Sequence, residues 1–95
     1  MFKAPWYDSA LIKSDDGFTV RWDRDRAVYE ESRRQLTFTV DIGAGEANVF
    51  VDSISRWDDD PAHRVDSATR LRIAKNVQDA FEWRGFTTRL VSDSS

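Results

Sequence analysis

The chain has 95 residues, of which 40% are hydrophobic and 13% aromatic, and its formal net charge at pH 7 is −3. This length corresponds to one small domain with a modest core, and the share of aromatic residues argues against intrinsic disorder. The sequence contains no cysteine, which excludes disulfides, thiolate metal sites and thiol nucleophiles.

The charged residues are mixed along the chain. Acidic residues accompany the basic residues at several places, as in "RWDRDR" at 21–26 and "EESRR" at 30–34. Phosphate backbones are bound by clustered Lys and Arg, so nucleic acid is not expected as a partner. The opening residues "MFKAPWYDSALIKSDD" contain no apolar run long enough for a signal peptide or a membrane span. We therefore expect a cytoplasmic protein with no membrane partner.

Four segments in the first half of the chain have the composition of strands, namely residues 18–22, 26–31, 35–42 and 47–54. In 35–42 ("QLTFTVDI") apolar and polar residues alternate throughout. This alternation predicts one buried face and a fixed register. Polar residues 23–25, the "SRR" triplet and the glycines of "GAGE" supply short turns, which favour an antiparallel meander.

A single helix is predicted over residues 67–84. Asp66 or Ser67 can cap its N-terminus, and Gly85 stands where a left-handed C-terminal cap is needed. An apolar stripe at helical spacing predicts the face that packs on the sheet: Ile73, Ala74, Val77, Ala80 and Phe81. A short strand over 86–91 ("FTTRLV") follows the helix.

These elements predict a two-layer α+β domain with the order β-β-β-β-α-β. A four-stranded antiparallel meander is covered on its apolar face by the helix, and the short C-terminal strand returns beside an earlier one. Residues 1–95 are expected to form one domain. Within it, residues 1–14 are left without an assigned structure, and residues 92–95 are expected to be a frayed tail.

The segment from Trp57 to His63 gathers a Trp, three consecutive Asp, a Pro and the only His of the chain. Carboxylates and an imidazole suit a divalent metal, but consecutive carboxylates in an extended chain point to alternating sides. Two other interpretations are a solvated connector and an acidic patch that steers a basic partner. His63 is the sole candidate for the His of Ser-His-Asp chemistry, no Ser lies in a G-x-S-x-G setting, and nothing marks an Asp pair as buried for acid–base work. No catalytic, cofactor or metal residue is therefore predicted.

Two anchoring roles and one interface role are expected among the large side chains. Ile54 and Trp57 are predicted to close the sheet edge beneath the start of the helix, and Phe81 to fill the centre of the apolar stripe. Trp83 falls off the stripe, so it either covers the sheet edge or is exposed at an interface, where Trp residues concentrate binding energy. Trp6 and Tyr7 are candidates for the same interface role.

Several motifs occur in the segments "VYEESRRQLTFTVDIGAGEANVFVDSISRWDDDP" and "RLRIAKNVQDAFEWRG". The first segment contains the hairpin strand at Tyr29 and Glu30, then the SI-x-x-W turn at Ser53, Ile54 and Trp57 with an acidic stretch after it. The second contains the helix pattern I-x-x-x-V-x-x-A-F-E-W-x-G, which ends at Gly85. In these motifs the chain resembles, over about residues 18–91, a family of small bacterial immunity proteins of polymorphic toxin systems.

The resemblance implies an inhibitor that is not an enzyme and that blocks a cognate toxin by occlusion. If that toxin acts on nucleic acid, its active cleft should be basic, and an acidic patch on this chain is then expected to bind there in place of phosphates. The residues proposed to bind the partner are Asp52, Asp58, Asp59, Asp60 and Trp83. Two alternatives remain open: a housekeeping or regulatory interaction module that self-associates, and a small metal-dependent hydrolase that uses the Asp58–His63 loop.

Overall fold

The computed structural model describes residues 1–5 and 10–92, which form a curled sheet of seven strands and one helix. The predicted α+β class is therefore confirmed. The strands follow each other in the sheet in sequence order: β1 (Phe2–Lys3), β2 (Leu11–Ser14), β3 (Phe18–Trp22), β4 (Arg26–Glu31), β5 (Arg34–Gly43), β6 (Glu46–Phe50) and β7 (Thr87–Val91). Neighbours from β1 to β6 are antiparallel, and β7 is parallel to β6. The helix α1 spans Ser67–Arg84.

The predicted number of strands was wrong, because the antiparallel part of the sheet has six strands and not four. The two additional strands, β1 and β2, lie in the segment 1–14 to which the sequence assigned no structure. They have two and four residues, which is too short for an alternating pattern to be recognised. Their place in the sheet comes from pairing, with Ile12 opposite Val20 of β3.

The fourth predicted strand was too long. The sequence predicted a strand to residue 54, but β6 ends at Phe50 and the chain turns into a short 3-10 helix, Val51–Ser53. The Ser53 hydroxyl bonds across the turn, where it donates to the Phe50 carbonyl and accepts from the Thr39 N–H at 2.8 Å. The Ser53 hydroxyl therefore accepts from a backbone N–H of β5 that has no strand neighbour to bond to.

The turn between β4 and β5 has an unusual backbone. Ser32 and Arg33 both have positive φ, at 52° and 66°. Two consecutive positive φ values between paired strands correspond to a type I′ hairpin turn, which Asn and Gly favour and other residues adopt at a cost. The turn predicted at "SRR" is present, and the pairing of Glu31 with Arg34 closes it.

The helix packs its apolar stripe on one face of the sheet, as the spacing predicts. Asp66 caps the N-terminus by accepting a 2.7 Å hydrogen bond from the Thr69 N–H, and Gly85 ends the helix with φ of 108°. One buried row crosses β2 to β5 beneath the helix: Ile12, Val20, Tyr29 and Leu36. Among the residues that the structure describes, no helix is long and apolar enough to cross a membrane.

Candidate partner-binding site

The loop that follows the 3-10 helix is attached to the edge of β5 through Asp58. The Asp58 N–H donates to the Gln35 carbonyl at 2.7 Å. The Asp58 carboxylate accepts from the N–H and the hydroxyl of Thr37, at 3.0 and 2.8 Å. Since both oxygens are engaged with the fold, Asp58 serves mainly to hold the loop on the sheet.

Beside this attachment an Arg lies over a Trp. The Arg34 guanidinium is 4.6 Å from the centre of the Trp57 ring and 3.3 Å from an Asp59 oxygen. Trp57 is partly buried, and its other neighbours include Tyr29, with ring centres 6.5 Å apart. A cation over an aromatic ring at the surface contributes roughly 0.5–1 kcal/mol, and the exposed ion pair adds about 1 kcal/mol at most. The stack therefore orders a mixed aromatic and charged surface.

The third Asp of the run bonds within the loop itself. The Asp60 carboxylate lies 2.9 Å from Nδ1 of His63, and the Asp60 N–H donates to the Trp57 carbonyl at 3.0 Å. The three consecutive carboxylates thus have three different partners, and only Asp60 meets the His. Within residues 1–5 and 10–92, no group of three or more His, Asp or Glu side chains is arranged to hold a metal ion.

A small depression of about 150 Å³ lies between this loop and the start of α1. Its lining includes Arg34, Trp57, Asp60 and His63. Small-molecule sites usually have volumes of about 300–1,000 Å³, so this depression is smaller than a usual small-molecule site. We refer to Arg34, Trp57, Asp59, Asp60 and His63 together as the Arg34–Trp57 platform.

Asp52 lies in the 3-10 helix and not in the platform. One of its oxygens is 3.8 Å from a terminal nitrogen of Arg70, and it accepts a 3.4 Å hydrogen bond from the Ser92 hydroxyl. These contacts connect the end of β6 with the first turns of α1 and with the end of β7. Asp52 therefore links three elements, namely the end of β6, α1 and the end of β7.

Trp83 is distant from the acidic loop. It is 46% exposed at the C-terminal end of α1, and its ring centre is 5.9 Å from that of Phe2. Trp83 follows the first helical residue, Ser67, by 16 positions, which at 1.5 Å per residue is about 24 Å along the helix. The proposed partner-binding residues thus belong to two separate surfaces, one at each end of α1.

The three proposed anchors differ in how deeply they are buried. Ile54 and Phe81 are fully buried, whereas Trp57 is only partly buried. The Phe81 ring meets Trp22 and Phe86 edge to face, with centres 5.3 and 5.7 Å apart. Trp6 and Tyr7, and residues 93–95 of the expected tail, lie outside the described residues.

A polar network behind the platform ties α1 to β4. The buried Tyr29 hydroxyl donates to Glu31 at 2.7 Å and accepts from the Asn76 amide at 3.1 Å. Arg72 donates to both oxygens of Glu31, at 2.5 and 3.0 Å. Burial, more than any other cause, raises the pKa of Tyr29 to about 12, and the hydrogen bonds from Arg72 hold the pKa of Glu31 below its usual value.

Sequence reasoning missed Arg34, which organises the platform. Arg33 and Arg34 are adjacent, and nothing in their identity distinguishes them. The distinction arises from the turn, because Arg33 occupies a positive-φ turn position and Arg34 begins β5 opposite Glu31. The sequence signal for Arg34 was its position directly after the predicted hairpin turn, in a chain that also contains Trp57.

Comparison of the chain with models of protein families, with curated proteins and with solved structures finds no match. The likeness to bacterial immunity proteins therefore stays a prediction made from the sequence motifs.

Proposed function

We propose that this chain is a non-catalytic binding protein of the immunity type, which neutralises a cognate toxin protein by occlusion. The contact surface in this proposal is the Arg34–Trp57 platform. The supporting observation is its ordered geometry: Arg34 is stacked 4.6 Å from the Trp57 ring centre, beside a small depression.

The composition of the platform is typical of binding hot spots. Trp and Arg are enriched among the few residues that dominate the binding energy of protein interfaces. Asp58 holds the loop on β5 through three hydrogen bonds, so little loop ordering is left to occur on binding. Binding is stronger when the contact residues are already in place, because less conformational entropy is then lost.

Two carboxylates supply the charge that a basic partner needs. The side chains of Asp59 and Asp60 are 63% and 40% exposed and meet Arg34 and His63 through one oxygen each, whereas both oxygens of Asp58 are engaged with Thr37. Exposed charges at the border of an interface mainly accelerate association by attracting the partner. The acidic attraction in our proposal therefore comes from Asp59 and Asp60, and Asp58 has the structural part.

The alternative of a metal-dependent hydrolase has less support from these contacts. A shared metal requires Asp58 and Asp59 to leave Thr37 and Arg34, to which they are bonded, and to turn towards His63. The binding proposal uses the side chains in the arrangement that they already have. Self-association concerns the backbone edge of β5 and not the exposed side chains of the platform.

Binding is tested by calorimetric and kinetic titration against the toxin-like protein encoded next to the gene for this chain. The double variant Asp59→Asn/Asp60→Asn is compared with Asp16→Asn/Asp41→Asn, which changes the net charge equally at two other exposed positions. We expect the first variant to associate about tenfold more slowly at low salt, with a flatter salt dependence, and the second to behave as the parent. Equal effects of both variants would remove the platform from the proposal.

The stacked cation is tested by a second matched pair. Arg34→Lys keeps the charge but loses the planar group that lies over Trp57, whereas Arg33→Lys makes the same change at the neighbouring turn position. We expect several-fold weaker binding for Arg34→Lys alone. A gene neighbourhood without a toxin-like product, or binding that is unaffected by Arg34→Lys, would contradict the proposal.

A further inference from the structure

Half of strand β5 has no strand neighbour on one side. The turn at Ser32 and Arg33 makes Glu31 and Arg34 a hydrogen-bonded pair, so every second residue from 34 onwards directs its backbone N–H and C=O to β4. Residues 35, 37 and 39 direct their backbone N–H and C=O groups to the other side of β5, away from β4. Strand β6 pairs only with residues 40–43, so the edge at 35–39 lies beyond the reach of β6.

Side chains and one backbone group from residues 53–58 occupy this edge. The Thr39 N–H bonds to the Ser53 hydroxyl at 2.8 Å, and the Thr37 N–H bonds to the Asp58 carboxylate at 3.0 Å. The Gln35 carbonyl accepts from the Asp58 N–H at 2.7 Å. One backbone group on each of three successive edge-facing residues of β5 is thus bonded to a segment that is not a strand.

We infer that Ser53 and Asp58 guard a latent strand-addition edge, and that without them β5 pairs with β5 of a second copy of this chain. An open row of backbone donors and acceptors is a template for another strand, and native proteins block such edges. The edge presents Gln35, Thr37 and Thr39 to solvent while Leu36 and Phe38 fill the core, so its backbone is held extended and its register is fixed.

The second copy follows from symmetry. Two identical strands that pair antiparallel about a two-fold axis at Thr37 offer each other the same groups, so each donor at 37 meets the acceptor at 37 of the other copy. The axis at Thr37 also places Gln35 of one copy opposite Thr39 of the other. The inference concerns the free chain and does not rest on the proposed toxin binding.

The association is measured by light scattering over a range of protein concentrations. Ser53→Ala/Asp58→Ala removes the two side chains that bond to the edge. Ser55→Ala/Asp59→Ala makes the same chemical change at neighbouring positions whose side chains do not bond to the β5 backbone at 35–39, since Asp59 meets only the Arg34 side chain of β5. We expect the first variant to form dimers at concentrations where the parent and the second variant keep the same lower mass. An unchanged mass for the first variant, with its circular dichroism intact, would overturn the inference.

Amide hydrogen exchange keeps the test informative if the double variant is too unstable to compare. In the single variant Asp58→Ala, measured at a concentration where it forms no dimer, the Thr37 amide loses its acceptor and is expected to exchange faster, whereas the Leu36 amide, which faces β4, keeps its protection. Equal protection of the Thr37 amide in the parent and in this variant would show that Asp58 does not guard the edge.

The location of the dimer contact is read from a single introduced cysteine, because the chain has none of its own. In the unguarded double variant, Thr37→Cys is expected to give a disulfide-linked dimer on mild oxidation, since the Cα atoms of a hydrogen-bonded antiparallel pair are about 5.5 Å apart and a disulfide spans that distance. Arg89→Cys, on the edge strand β7, is the matched control. A disulfide at 89 and none at 37 would assign the contact to β7 and contradict the inference.

Discussion

Ionisation of Tyr29 tests the contact between α1 and the sheet. The hydroxyl is buried between Glu31 of β4 and Asn76 of α1, and Arg72 pairs with the same Glu. The pKa of Tyr29 is about 12 against 10.0 for the free group, chiefly because burial disfavours the phenolate. A pKa that is higher in the folded chain means that this group stabilises the fold fully below pH 10 and that the contribution is lost as the pH rises from 10 to 12.

The size of the effect follows from the two pKa values. A shift of two units corresponds to about 3 kcal/mol in total, of which roughly 1 kcal/mol is lost by pH 11. Urea unfolding at pH 8 and pH 11, followed by Trp fluorescence, measures the difference for the parent and for Tyr29→Phe. The variant is less stable at pH 8 because two hydrogen bonds are lost, but it should lose about 1 kcal/mol less than the parent between the two pH values. Equal losses would refute the buried, hydrogen-bonded position of this hydroxyl.

Three further changes test the packing and the turns by the same unfolding measurement. Phe81→Ala should cost about 3–5 kcal/mol, since it empties the space between Trp22 and Phe86; a loss below 1 kcal/mol would mean that the ring is not in the core. Ser32→Asn/Arg33→Gly should stabilise the chain by about 1 kcal/mol, because these residues adopt positive φ more readily. Gly85→Ala should destabilise by about 1 kcal/mol, because its φ of 108° is unfavourable with a Cβ; no loss would contradict that cap.

The elements with a complete local signal were predictable. The alternation in 35–42 and the capped apolar stripe of 67–84 each contain the information for one buried face, and both elements are present with nearly those bounds. Strands β1 and β2 are too short for such a signal and exist because β2 pairs with β3 and β1 pairs with β2. The early end of β6 was not predictable, because apolar residues continue past Phe50 and the chain leaves the sheet through contacts of Ser53 and Asp58 with β5.

The candidate site was predictable in part. Composition marked the acidic run and Trp57, but two of its three carboxylates have partners more than 20 positions earlier in the chain, Arg34 for Asp59 and Thr37 for Asp58. Such pairings are created by the curl of the sheet and leave no local pattern. The separation of Trp83 from the acidic residues likewise follows from the helix that lies between them.

The most direct test of the account is a titration of the toxin's activity with this chain, using the toxin-like protein encoded beside it. A binding protein that acts by occlusion is consumed one for one, so activity should fall linearly and vanish at one chain per toxin molecule, and Arg34→Lys should weaken the inhibition. Full inactivation by a small fraction of an equivalent, or undiminished activity with the chain in excess, would contradict neutralisation by stoichiometric binding.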